Sequence, residues 1–203
     1  MHVRIYVAAV SPTQVARTEK ARESLLDSAA RKLSRYGYAN LVLDHVASEA
    51  GYTRGAVYHH FEDKEQLVLA VIAREDDAWD EQVGALTEHR SGPLDALLAL
   101  ARGHAAYVGR ERGRVVMTMR VEFGPREHPV GQAAELSFES LVDRCARLIA
   151  AARLRREVSA GPSARTLARA LLGAIEGASA QLGRNSEDVA EDIARGVLRL
   201  GRG

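Results

Sequence analysis

Apolar residues recur along this chain at steps of three and four. From Arg17 to Tyr36, Leu25, Leu26, Ala29, Ala30 and Leu33 fall on one side of a helix, and Gly37 follows where a helix commonly stops. Leu43, Val46, Ala47 and Ala50 repeat the spacing over a second, shorter helix closed by Gly51. Thr53 is a fitting N-cap for a third helix from Arg54 to Phe61, with Val57 and Phe61 sharing the buried face at i and i+4. Asp63 can cap a fourth from Lys64 into the 80s, where Leu67, Val68, Val71, Ile72 and Trp79 return to one side and the polar far end is expected in solvent.

After the break at Ser91-Gly92-Pro93, helical patterns occupy Leu94 to Arg110 and Arg114 to Phe123, and a long one runs from Val130 to about Glu157. Two last segments, Pro162 to Leu182 and Ser186 to Leu200, are rich in Ala, Gly and Leu. One carries a stripe of Leu167, Leu171, Ile175, Ala178 and Leu182, the other of Val189, Ile193, Val197 and Leu200. The fold class is therefore all-α, with about nine helices, no sheet and no internal repeat. Residues 1–16, mildly apolar but interrupted by Arg4 and ended by Ser11-Pro12, read as a flexible arm too short for a membrane span or a signal peptide.

Composition narrows the function classes. A chain of 203 residues with 46% hydrophobic content has ample material for a core. The net charge of +1 predicts neither a polyanion-coating nor a membrane-surface protein, so any nucleic-acid site is local. A lone Cys145 forms no internal disulfide and no thiolate cluster, which fits the reducing cytoplasm. The seven histidines lie at scattered spacings, without H-E-x-x-H, a glycine-rich phosphate loop or G-x-S-x-G. His59 and His60, being adjacent, project in different directions from a helix. Neither an enzyme nor a metal or cofactor site is expected.

The local chemistry concentrates at TRGAVYHHFEDKEQL, Thr53 to Leu67. Two short helices joined by Gly51-Tyr52-Thr53 have the form of a helix-turn-helix, whose tight turn needs a residue tolerant of positive φ. With Val57 and Phe61 against the domain, Arg54, Tyr58 and His59 project outward as donors to phosphates or base edges, and Gly55 lets the backbone approach DNA. Lys64, opening the fourth helix, adds a full positive charge to that helix's free amides. Between Arg17 and Lys64 eight basic residues face seven acidic ones, so placement on one face has to create any polyanion site.

The segment DHVASEAGYTRGAVYHHFEDKEQL strongly resembles the DNA-binding region of the TetR family of bacterial transcriptional regulators, over roughly Arg17 to Ala70. The resemblance implies that Thr53, Arg54, Gly55, Tyr58, His59 and His60 lie on or beside a recognition helix. It also implies that Tyr58 and Lys64 contact phosphates, that Phe61 is a core residue, and that Arg17 is the basic residue preceding the first helix. One departure stands out. Where the family usually carries Thr or Ser, this chain has Leu41 and Val42, so Asn40 is expected to cap the second helix instead.

The resemblance further implies an organisation of arm (1–16), helix-turn-helix domain (17–64) and larger helical domain (65–203) for ligand binding and dimerisation. The helices at 162–182 and 186–200 are the expected homodimer interface, helped by the small Ala170, Gly173, Ala174, Gly177 and Ala178. For a small-molecule effector, the candidates are Trp79, His104, Tyr107, Met117, Met119, Arg120, Glu122, Phe123, Phe138, Leu141 and Cys145. The function implied is a repressor released from a near-palindromic operator in double-stranded DNA by a ligand that tilts the fourth helix. The alternative is a helical interaction or scaffold protein whose helix-turn-helix no longer binds DNA, favoured by the Leu41-Val42 departure.

Overall fold

The computed structural model describes residues 12–124 and 127–200. Among them are nine α-helices and no strand: α1 (Pro12–Tyr36), α2 (Leu43–Glu49), α3 (Arg54–His60), α4 (Lys64–Gln82), α5 (Pro93–Val108), α6 (Val115–Phe123), α7 (Pro129–Leu154), α8 (Ala164–Leu182) and α9 (Ser186–Leu198). The expected arm at 1–16 falls largely outside the described residues, and its last part belongs to α1, which opens at Pro12. Proline suits a first helical turn because the amide it lacks would have no partner there.

Local chemistry sets the boundaries. Gly37 ends α1 at φ +75° and Gly51 ends α2 at φ +80°, both in the left-handed region that favours glycine. The Asp63 carboxylate accepts the Gln66 amide at 2.8 Å at the start of α4, as expected. Thr53 occupies the N-cap of α3 without a side-chain hydrogen bond. Asn40 does not cap α2: its amide donates to the Tyr36 carbonyl at 2.9 Å, serving the end of α1, and exposed Val42 holds the N-cap of α2 with no side-chain bond.

Two hydrophobic clusters organise the chain. The N-terminal one joins Leu25, Leu26, Ala29, Ala30 and Leu33 of α1 to Val46, Val57, Phe61 and the first half of α4 (Leu67, Val68, Val71, Ile72). It continues into Val115, Met119 and Phe123 of α6 and Val130 and Ala134 of α7, well beyond residue 64. The second cluster is built from α5, α7, α8 and α9 around Leu97, Leu100, Val142, Ile149, Leu171, Leu172 and Ile175. In α9 the fully buried row is Ala190, Ala194 and Leu198, while Val189, Ile193 and Val197 are half-buried, and Leu182 at the end of α8 is exposed. The expected stripes are thus turned partly outward, because small alanines permit the close α8–α9 approach.

The polar stretch of α4 departs from expectation. Glu75 is buried, accepting from Arg74 at 2.8 Å and from the Tyr107 hydroxyl at 2.8 Å. A carboxylate leaves water only with partners, and here an arginine and a phenol provide them.

Candidate functional site

The turn between α2 and α3 is closed by backbone bonds from Gly51 N to the Ser48 carbonyl (3.1 Å) and from Tyr52 N to the Ala47 carbonyl (2.9 Å). α3 then lies on its domain through Val57, which is fully buried, and Phe61 just beyond it at 5% exposure. Thr53, Arg54, Gly55, Tyr58 and His59 are exposed on the other side. The Arg54 guanidinium donates to the Tyr58 hydroxyl at 3.2 Å, stacks 5.5 Å from that ring, and pairs with Asp44 of α2 at 3.1 Å. These contacts hold the arginine extended along the outer face.

His60 is only partly exposed, its ring against His59 and Phe61, and burial followed by the neighbouring His59 and Arg22 charges lowers its pKa. It flanks the face rather than forming it. Lys64 is also partly covered: its ammonium lies 4.4 Å from the Tyr38 ring and donates to the Ala39 carbonyl at 3.4 Å, and burial lowers its pKa. Arg17 is exposed on α1. Farther along α1, Arg31 and Lys32 pair with Glu49 and Arg35 with Glu111.

A cavity of about 290 Å³ opens in the larger helical region. Of the residues expected there, Trp79, His104, Tyr107, Met117, Phe138 and Leu141 line it. Five do not. Met119 and Phe123 are packed into the N-terminal cluster, Cys145 into the other, and burial pushes the Cys145 thiol up to about 12, far from a reactive thiolate. Arg120 lies 3.3 Å over the Phe138 ring and pairs with Glu135 at 3.0 Å, behind the wall. Glu122 turns the other way, accepting the Tyr38 and Ala39 amides at 2.6 and 2.7 Å. It thereby ties α6 to the loop between α1 and α2.

The sequence reading missed the acids. Glu75, Asp76, Asp80 and Glu176 line the cavity with Ser137, Ser140, Arg144 and Arg147. Asp80 pairs with Arg144 at 2.6 Å, whereas Asp76 accepts from the Ser137 hydroxyl at 2.6 Å. Burial raises the pKa of Asp76 and of Glu176. The available signal was spacing: Asp76 lies three residues before the expected wall residue Trp79, and Asp80 lies four after Asp76.

His104 is buried, and burial lowers its pKa to about 4, so it is neutral at pH 7. Its Nδ1 accepts the Trp79 indole N–H at 3.2 Å, which places the imidazole proton on Nε2. Among the described residues no group of three or more His, Cys, Asp or Glu could hold a metal ion, and no helix is long and apolar enough to cross a membrane.

Residues 25–71 match the model of the bacterial regulatory proteins of the tetR family. The chain is 29% identical over 143 residues to the transcriptional repressor AcnR of Corynebacterium glutamicum, covering 70% of this chain and 68% of that protein. It is 28% identical over 167 residues to the transcriptional repressor BepR of Brucella suis, covering 80% of each. Its fold is similar to that of AibR, solved with isovaleryl coenzyme A and operator DNA, at a TM-score of 0.76 and 19% identity, over 89% of this chain and all of that one.

Proposed function

We propose that this chain, whose residues 25–71 match the tetR family model, is a cytoplasmic repressor of the TetR family that binds an operator as a homodimer and leaves it when a small molecule fills the cavity. One observation carries the DNA reading. α3 buries Val57 and Phe61 while Arg54, Tyr58 and His59 stand outward on a helix short enough to enter a major groove. Arg54 and His59 are assigned to base edges, Tyr58, Lys64 and Arg17 to phosphates, and Thr53, Gly55 and His60 to the flanks of the contact. The scaffold alternative gains nothing from Leu41 and Val42, because the outer face of α3 forms without a hydroxyl at α2.

Dimerisation is supported by α8, which buries Ala168, Leu171, Leu172 and Ile175 on one side and leaves Ala170, Gly173, Ala174 and Gly177 exposed on the other. Small residues there let a second copy approach closely. Two recognition helices about 34–36 Å apart read successive turns of a near-palindromic site.

The cavity walls support the release step. α4 begins at Lys64, next to α3, and brings Asp76, Trp79 and Asp80 to the cavity, while α6 carries Val116 and Met117 to it and Glu122 to the α1–α2 loop. A ligand that prefers a tilted α4 changes the spacing of the two reading helices and lowers operator affinity.

The experiment is a mobility shift on DNA flanking the protein's own gene, across a salt series. A specific complex whose affinity falls steeply with salt is expected. Retention of that DNA no better than of random DNA would end the repressor reading.

A further inference from the structure

The cavity carries more information than its volume, because its polar groups are unevenly compensated. Asp80 is neutralised by Arg144, Glu75 by Arg74, and Glu176 is 3.5 Å from Arg120. Asp76 is the exception. Its contact is the Ser137 hydroxyl, and the charges acting on it are those of Asp77, Asp80 and Glu75, all negative. It is covered enough for these repulsions to matter, since charges in a poorly solvated wall interact far more strongly than in water.

A second, independent feature lies on the same wall. His104 is 3% exposed, its Nε2 carries the proton, and that N–H has no hydrogen-bond partner. The Glu176 carboxylate is 4.0 Å from it, beyond bonding distance. A buried donor left without an acceptor is costly, and a ligand that brings one relieves it. Around these groups Trp79, Phe138, Leu141 and Met117 supply an apolar and aromatic lining.

We infer that the cavity takes an organic cation with an apolar or aromatic body, its charged nitrogen on Asp76, its body against Trp79, Phe138 and Leu141, and a hydrogen-bond acceptor turned toward His104 Nε2. The inference rests on the reading of this cavity as the effector site and adds the ligand class to it. The Trp79 ring already faces the Arg144 guanidinium at 5.5 Å, so the ring serves the ligand's apolar body and Asp76 is the partner for its nitrogen. An anionic ligand meets the reverse field at Asp76, with Arg147 lining the cavity from an exposed position and Arg144 already paired.

The test holds shape constant and varies charge. Calorimetric titration of the full chain with 4-phenylbutylamine, 4-phenylbutan-1-ol and 4-phenylbutanoate, with isovaleryl coenzyme A as a fourth probe, ranks a cation, a neutral body and anions. The amine is expected to bind about ten-fold or more tighter than the alcohol, with the carboxylate weakest. Asp76→Asn, which keeps the size and the acceptor for Ser137, is expected to erase the amine's advantage over the alcohol. Glu176→Gln serves as a second neutralisation of the wall, and thermal melting checks that both variants fold.

If the alcohol or the carboxylate binds as tightly as the amine, the cation assignment is wrong. Tight binding of isovaleryl coenzyme A with no amine binding also overturns it, while leaving the cavity as an effector site. Binding of none of the four removes both readings.

Discussion

On the proposed assignment, Arg54 is the side chain on which sequence preference turns. It is held by Asp44 and Tyr58 in the free protein, so reading a base edge means giving up the Asp44 carboxylate. Arg54→Ala is expected to lower operator affinity about ten-fold or more and to relax the choice at one or two base pairs, whereas Tyr58→Phe weakens binding to all sequences alike. Selection from a randomised operator library distinguishes the two patterns. Asp44→Asn should tighten binding at low salt, with the gain fading as salt rises. At the cavity, His104 sets an acid limit. Its pKa falls to about 4 in the fold from an ordinary 6.5, so it contributes stability above pH 6.5 that is lost as pH drops toward 4, about 3 kcal/mol in all. Asp76 and Glu176, with raised pKa values, act in the opposite direction on acidification. Melting His104→Gln beside the parent protein across that range isolates the histidine: the variant's profile is expected to be flatter.

At the scale of elements, the joint between α1 and α2 is the most sensitive. Gly37 adopts φ +75°, and a Cβ there would lie 2.4 Å from the Glu122 carboxylate. Gly37→Ala therefore combines backbone strain with displacement of the side chain that bonds the Tyr38 and Ala39 amides. A loss of about 1–3 kcal/mol in chemical denaturation is expected. This joint also shows what sequence pattern can and cannot carry. Gly37, Gly51, Asp63 and the apolar rows of α1 to α4 act through neighbours within a turn, so spacing alone revealed them. Glu122 reaches a loop 84 residues away, and nothing near it in sequence marks that partner. The same reason hid Glu75, whose cover comes from Tyr107, and misplaced Met119, Phe123 and Cys145, since an apolar helix has two possible hosts and pattern does not say which. The cavity's aromatic wall was legible because bulky rings at helical spacing must pack inward. Its acids were not, because carboxylates ordinarily face water.

For the whole molecule, the proposed dimer contact is the exposed small-residue face of α8. A Cβ added at Gly177 meets nothing within 4 Å in the single chain, so Gly177→Glu should leave the monomer's fold intact. In a dimer built on that face it forces a charge into the contact. Sedimentation is expected to show the parent protein as a dimer and the variant as a folded monomer with operator binding lost; a dimeric variant with normal DNA affinity would move the interface elsewhere. The N-terminal cluster has a different lesson. Since Val115, Met119, Phe123, Val130 and Ala134 complete it from the far side of the chain, a fragment cut after Gln82 would carry a raw greasy flank. Such a piece should clump rather than grip DNA, and heat should melt the intact chain in one wave, reader and sensor failing together.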